Sequence, residues 1–211
     1  MTRCSRALFA VGLLLLTSLA LVQSASAQAI LAEKYVYGDD STDGMTFTRM
    51  PQEADRWCWA ATAQMIMAFH GEAFWRQCIQ ADDAYPRKSF PRTCCDVGGT
   101  DNPVCNRTGW PHFEHYGFQF QQMDESFPWD VLVDQIDKRL PIAVAVKFFT
   151  GGGHMGVVVG YQIHEDKTKY VLVVDPDGFH SAVLLRFDEL FGVSADGSYK
   201  HWRTYYNIKK Q

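Results

Sequence analysis

The sequence predicts an α+β fold, because helix-forming segments come first and strand-forming segments follow. Residues 58–70 form an apolar run without glycine or proline, and apolar residues recur with helical spacing over residues 129–140. From residue 142 onwards, β-branched and aromatic runs alternate with turn residues. Helices followed by consecutive hairpins are typical of an α+β domain with an antiparallel sheet.

Length and composition indicate a globular domain. The chain has 211 residues, and its 47% hydrophobic and 21% charged content argues against a disordered or coiled-coil protein. The formal net charge of −4 provides no basic surface for nucleic acid or for an anionic membrane. We expect a monomer without cofactors.

The N-terminal segment is typical of a cleaved secretory signal. Arg3 and Arg6 form a basic start, residues 7–22 are mostly apolar, and Ala25-Ser26-Ala27 is a small-x-small cleavage site. The apolar run is short for a spanning helix, so we expect cleavage, with an uncleaved anchor as the alternative. Residues 28–211 would then form a single secreted or periplasmic domain with no membrane contact.

The number of cysteines singles out Cys58. Cys4 lies in the signal, and four of the other five cysteines crowd together, namely Cys78, Cys94, Cys95 and Cys105. Disulfides persist in exported proteins, so this odd count predicts two bridges and one free thiol. Adjacent cysteines rarely bridge to each other, so Cys94 and Cys95 should each join Cys78 or Cys105, in an order that the sequence leaves open. The bridges would cross-link residues 82–111, a predicted long loop.

Cys58 is a candidate nucleophile. It lies between Trp57 and Trp59, where a polar turn gives way to an apolar run. At the first turn of a helix, the macrodipole and the unpaired backbone N–H groups favour the thiolate, which is the nucleophilic form of cysteine. Gln52, six positions earlier, could donate an amide hydrogen to an oxyanion beside the sulfur. We expect the two tryptophans to line the cleft and pack the helix. The alternative is a buried or disulfide-bonded cysteine.

His154 is the best-placed candidate base. It follows three glycines and begins a Val-rich strand, and an imidazole that activates a thiol needs a third group to fix its tautomer. The next strand ends at Asp175, which a hairpin would bring close to His154. Asp177 competes for this role, and the sequence Asp175-Pro176-Asp177-Gly178 is also an ordinary turn, just as His154 could be a turn residue.

A structural metal is a second interpretation of the Cys and His residues. His112 and His115 are three positions apart and lie downstream of the loop cysteines. Closely spaced ligand pairs are missing around Cys58. In an exported protein we expect disulfides rather than a metal site.

Together these residues resemble the papain-like cysteine peptidases. Gln52-x5-Cys58-Trp59-Ala60 is similar to the active-site signature of that family. Gly153-His154 and Val174-Asp175-Pro176 resemble the histidine and acid motifs of shorter bacterial members. These members include effector proteases of plant pathogens and peptidase domains that cleave double-glycine leaders. The resemblance spans roughly residues 51–208, apart from the cysteine-rich loop.

The resemblance implies a papain-like fold whose central helix starts at the catalytic cysteine, and hydrolysis of a peptide or protein substrate. Cys58 would attack the carbonyl carbon, and His154 would act as base and then as acid. Asp175 would orient His154, while Gln52 and the Cys58 backbone N–H would hold the oxyanion. Classical members have asparagine in place of Asp175 and a longer domain between cysteine and histidine. They also carry a long inhibitory propeptide, whereas only about two dozen residues lie between the predicted signal and Gln52.

Other functions are compatible with the same residues. Transglutaminases, deamidases and peptidoglycan amidases share the order Cys-His-Asp, although a glutamine six positions before the cysteine favours a peptidase. An inactive exported binding domain could keep the scaffold, but all four candidate residues are present. A disulfide-rich adhesion module would not explain the odd number of cysteines.

Overall fold

A helical part packs against an antiparallel sheet of seven strands, which confirms the predicted α+β class. The computed structural model describes residues 28–37, 47–85, 93–99, 102–124, 126–177 and 182–211. The predicted signal, residues 1–27, lies outside these ranges. In the part of the chain that is described, no helix is long and apolar enough to cross a membrane.

Five helices precede or interrupt the strands of the described chain: α1 (Cys58–Phe69), α2 (Gln77–Ala84), α3 (Cys94–Val97), α4 (Trp129–Asp137) and α5 (Phe187–Leu190). α1 is the central helix, because nine of its 12 residues are buried. The sequence also predicts a short helix from Glu72 to about Gln80, but the observed helix α2 begins only at Gln77. The sequence predicts Ser126 as the N-cap of α4, but Pro128 occupies the N-cap position, two residues later.

α1 ends where the sequence predicts. Gly71 has a φ of 89°, a left-handed conformation that glycine adopts without steric cost. Its N–H bonds the carbonyl of Ala68, and the N–H of Glu72 bonds the carbonyl of Met67. This pair of bonds is the Schellman motif, which satisfies carbonyls that the helix leaves without a partner.

The strands of the sheet are β1 (Ile30–Tyr35), β2 (Phe118–Met123), β3 (Ile142–Phe148), β4 (Gly153–His164), β5 (Lys169–Val174), β6 (Val183–Arg186) and β7 (Tyr199–Lys210). The β-branched and aromatic runs after residue 142 predict five strands, and all five are present as β3 to β7. Their order is β2-β7-β3-β4-β5-β6, with β1 pairing the second half of β4. The predicted succession of hairpins is therefore wrong for β7, which pairs with β2 and β3. β7 contains the buried residues Thr204, Tyr205 and Ile208. Because β7 lies between β2 and β3, both of its edges are paired.

Near the start of the chain the sequence also predicts two short strands, over residues 35–37 and 45–48. β1 ends at Tyr35, where the first of them was expected to begin. The second was expected over residues 45–48, of which 45 and 46 lie outside the described ranges and Phe47 and Thr48 are not in a strand. β2 was not predicted, although Phe118-Gln119-Phe120 alternates between apolar and polar residues as a half-buried strand does.

Two disulfides join α2, α3 and the following loop. Cys78 bonds Cys95, and Cys94 bonds Cys105, while Cys58 is free. This confirms the predicted two bridges and the single free thiol, and it supplies the pairing order. The predicted loop is partly helical, because it contains the end of α2 and all of α3.

Loss of the Cys94–Cys105 bridge should destabilise the protein by about 2–4 kcal/mol, since the bridge restricts the unfolded chain. The loop also contacts α1, because Trp57 Nε1 donates to the Cys105 carbonyl over 2.9 Å. We expect the double variant Cys94→Ser/Cys105→Ser to unfold at a lower urea concentration than the parent. An unchanged midpoint would contradict this role, and serine leaves no additional thiol to complicate the comparison.

Candidate active site

The free thiol lies at the N-terminal end of the central helix. Cys58 is the first residue of α1, and it lines a cleft of about 980 Å³ between the helical part and the sheet. In the described part of the chain no side chain caps this end of the helix, and Cys58 lies next to the first-turn N–H groups at the positive end of the dipole. Trp59 lines the cleft as expected. Trp57 does not line the cleft, and its indole Nε1 donates to the Cys105 carbonyl instead.

The loop 102–112 packs closely against this end of α1. Trp59 Nε1 donates to the Arg107 carbonyl over 3.1 Å. A Cβ atom at Gly109 would lie 2.7 Å from the Trp59 ring, so this position requires glycine. The disulfide-linked loop therefore forms one wall of the cleft.

His154 and Asp175 meet across the β4–β5 hairpin. His154 is the second residue of β4, and Asp175 directly follows β5. Continuing the Val157–Val174 register would place Asp175 opposite Gly156, two residues from His154 on the same face of the sheet. Such diagonal neighbours are within reach of each other. A hydrogen bond of 2.7 Å joins His154 Nε2 to Asp175 Oδ1.

The two competing aspartates have different positions. The carboxylate of Asp175 contacts His154, whereas Asp177 contributes its backbone N–H, which donates to Asp175 Oδ1 over 2.8 Å. Asp177 therefore helps to hold the carboxylate of Asp175 in place. Both residues line the cleft.

The surroundings of His154 favour a protonated ring. Burial opposes the charge and lowers the pKa, but hydrogen bonds to Asp175 and Cys58 outweigh it and raise the pKa of His154 to about 10. Because Nε2 contacts Asp175, Nδ1 is the ring nitrogen left for the sulfur. The charged ring can donate from Nδ1 to the Cys58 sulfur.

Gln52 lies in the same cleft, with its amide partly engaged. Its Nε2 donates to the Asp55 carbonyl over 3.1 Å, and its Oε1 is buried without a hydrogen-bond partner among the described residues. An amide nitrogen carries two hydrogens, so one remains for an oxyanion. The structure thus brings all four predicted site residues to one cleft.

Four more aromatic side chains line the cleft: Tyr85, Trp110, Phe148 and Trp202. The sequence did not single out Tyr85, Phe148 or Trp202. The β3–β7 register shifts between Ala145 and Val146 and leaves Trp202 unpaired on β7. A bulge of this kind redirects a side chain. Trp202 lies edge-on to Trp110, with 4.7 Å between ring centroids. The position of a bulge depends on long-range pairing, so no local signal in the sequence could have indicated it.

The residues considered for a metal have other contacts. The four loop cysteines are in disulfides, and His115 lies 3.5 Å from Asp83. His112 lines the cleft beside Trp59. Among the described side chains, no group of three or more His, Cys, Asp or Glu residues is arranged to hold a metal ion.

The family comparison agrees with this arrangement of the site and gives the class of protein as Peptidase_C39-like. The sequence profile of the Peptidase_C39-like family matches residues 45–208, which is most of the chain. The chain therefore belongs to the Peptidase_C39-like family. Among curated protein sequences, none matches it significantly.

Several solved structures have a similar fold. A provisionally assigned C39-like peptidase from Bacillus anthracis is 12% identical, with 85% of this chain and 100% of that chain covered and a TM-score of 0.48. The recombinant stem bromelain precursor is 11% identical, with coverage of 86% and 71% and a TM-score of 0.43. The proform of Amb a 11, a cysteine protease and ragweed pollen allergen, is 13% identical, with coverage of 86% and 66% and a TM-score of 0.39. At these identities the similarity concerns the fold alone.

Proposed function

We propose that this protein is an exported cysteine peptidase that hydrolyses peptide bonds with Cys58 as nucleophile. The observation that carries the proposal is the continuous contact from Cys58 to His154 to Asp175 in an open cleft. Nucleophile, base and orienting acid in this order are the arrangement that acyl transfer requires.

In the first half of the reaction, the thiolate of Cys58 attacks the carbonyl carbon of the scissile amide and forms a C–S bond. The carbonyl oxygen becomes an oxyanion, which accepts hydrogen bonds from the Cys58 backbone N–H and from the Gln52 amide. The His154 imidazolium then donates its proton to the amide nitrogen. The C–N bond breaks, the amine leaves, and a thioester remains on Cys58.

In the second half, neutral His154 removes a proton from water, and the resulting hydroxide attacks the thioester carbonyl. The C–S bond breaks, which releases the acid product and returns the thiolate beside the imidazolium. Asp175 holds the ring in one orientation and stabilises its charge throughout, because its carboxylate accepts from Nε2.

Two observations support export to an oxidising compartment. The described chain contains two disulfides, which form and persist outside the cytosol. The first 27 residues are also typical of a secretory signal. We propose that residues 28–211 act as the mature peptidase in the periplasm or outside the cell.

The function can be tested with the mature protein and an unstructured protein substrate such as casein. We expect cleavage at neutral pH, and we expect one equivalent of iodoacetamide to label Cys58 and to abolish cleavage in parallel. Labelling only after denaturation would refute the role of Cys58. Fast labelling without cleavage of any peptide bond would favour a transglutaminase or amidase instead.

The pH dependence of hydrolysis follows from the pKa of His154. The imidazolium must be present to protonate the leaving amine, and a pKa of about 10 preserves it well above neutrality. We therefore expect kcat/KM to fall only near pH 10, and not near the ordinary histidine pKa of about 6.5. The stabilisation from this charged ring is full below about pH 6.5 and is lost as the pH rises through about 10. A fall in kcat/KM at pH 7 would contradict the geometry.

A further inference from the structure

We infer that Arg49 is a positioning residue, which holds Asp175 against His154 and so maintains the charge on the imidazole. This inference rests on the proposed function. Arg49 Nε donates to the Asp175 carbonyl over 2.7 Å, and one terminal nitrogen donates to the Pro176 carbonyl over 2.9 Å. A guanidinium presents two parallel N–H groups in a fixed fork, so these bonds fix both the direction and the distance of the two peptide groups.

The same bonds connect the acid to the glutamine of the site. The Pro176 carbonyl also accepts from the Gln52 backbone N–H over 3.1 Å. Pro176 is buried and lies between Asp175 and Asp177 in the turn of residues 175–177, which we call the acid turn. The segment that carries Arg49 and Gln52 and the segment that carries Asp175 are therefore joined through one carbonyl.

The segment beside Arg49 is itself anchored in the core. Gln77 is 1% exposed, and it bonds both neighbours of Gln52: its Nε2 donates to the Pro51 carbonyl and its Oε1 accepts from the Glu53 N–H, each over 2.8 Å. The next residue, Cys78, is covalently linked to Cys95. The backbone next to Arg49 is therefore held in place by the core.

The carbonyls of Asp175 and Pro176 need such donors because β5 ends at Val174, after which the chain leaves the ladder. If the acid turn moved, the 2.7 Å contact between Asp175 and His154 would lengthen. That contact is a main reason for the raised pKa of the ring. Loss of Arg49 should therefore lower the pH at which His154 loses its proton.

We would compare Arg49→Ala and Arg49→Lys with the parent, and use Arg186→Ala as the matched control. Arg186 makes two hydrogen bonds to Asp188. It pairs with Tyr170 near the start of β5, whereas Asp175 follows the other end of that strand. The first measurement is the pH dependence of the reaction of Cys58 with iodoacetate. This anionic reagent reacts more slowly once the neighbouring imidazolium has lost its proton. The second measurement is kcat and KM for hydrolysis.

For Arg49→Ala we expect kcat to fall by about 10- to 100-fold with little change in KM, since a small displacement of catalytic groups has effects of this size. The alkaline limb, which is the fall in the iodoacetate reaction rate at high pH, should move from about pH 10 toward neutrality. Added guanidinium at millimolar concentration should restore part of kcat in Arg49→Ala. Arg49→Lys should give an intermediate shift, because it keeps the charge but lacks the fork. Arg186→Ala should match the parent.

An alkaline limb that stays in place in both Arg49 variants, with no rescue by guanidinium, would overturn the inference. If Arg49→Ala fails to fold, the position of the alkaline limb in Arg49→Lys tests the inference instead. The iodoacetate reaction needs no substrate, so it tests Arg49 even if the parent protein hydrolyses nothing. Failure of the proposed function would instead appear in the parent itself, as an absence of cleavage.

Discussion

Replacing Cys58 by alanine is expected to lower kcat for peptide hydrolysis by at least about 10⁴-fold, because it removes the sulfur that forms the acyl intermediate in the proposed mechanism. The fold should survive. The side chain is partly exposed at the first position of α1, and alanine favours a helix. Cleavage of an unstructured protein by parent and variant at equal concentration measures the effect directly.

Cys58→Ser is the matched control for this prediction. It retains a nucleophilic atom of similar size at the same place, but a hydroxyl gives up its proton far less readily than a thiol. We expect this variant also to be inactive, while both variants keep the thermal unfolding midpoint of the parent. Cleavage by Cys58→Ala within tenfold of the parent would mean that another group carries the reaction.

The site could be predicted from the sequence because its members mark local structural features. Cys58 lies where a polar turn meets a buried helix, and His154 lies at the start of an apolar strand. β4 and β5 are consecutive strands, so a single hairpin suffices to bring Asp175 to His154. The spacing of Gln52 from Cys58 needed the family resemblance to be interpreted.

Features that depend on distant segments could not be predicted. Arg49 contacts a carbonyl 126 residues later in the chain, and no local pattern distinguishes it from an ordinary surface arginine. β7 crosses to pair with β3 instead of following β6, and its bulge places Trp202 in the cleft. The order of the disulfides likewise follows from how α2 and α3 pack, because the cysteine positions allow either partner.

The local sequence also could not distinguish Asp175 from Asp177 as the residue that contacts His154. Both belong to one turn, and turn sequences are rich in aspartate whatever their function. The register of β4 and β5, continued past Val174, would even set Asp177 opposite His154. The chain bends at Pro176, and the carboxylate that reaches the ring is that of Asp175.

Asp175→Ala is therefore expected to lower kcat by about 10²- to 10⁴-fold, the range expected when a histidine loses the group that orients it. Without the carboxylate, the ring is free to rotate and its charge is less stabilised. The alkaline limb of kcat/KM should then move from about pH 10 toward the ordinary histidine value. Pre-steady-state release of the amine product would show whether acylation is the slowed step.

Two further variants make the assignment specific. Asp175→Asn keeps an oxygen that can accept from Nε2 but removes the charge. Because classical papain-like enzymes use asparagine here, we expect it to retain more of kcat than the alanine variant while still lowering the alkaline limb. Asp177→Ala keeps the backbone N–H that bonds Asp175, so its alkaline limb should stay where it is in the parent. If Asp177→Ala moved the limb as far as Asp175→Ala, the carboxylate of Asp175 would not be what holds the proton on His154.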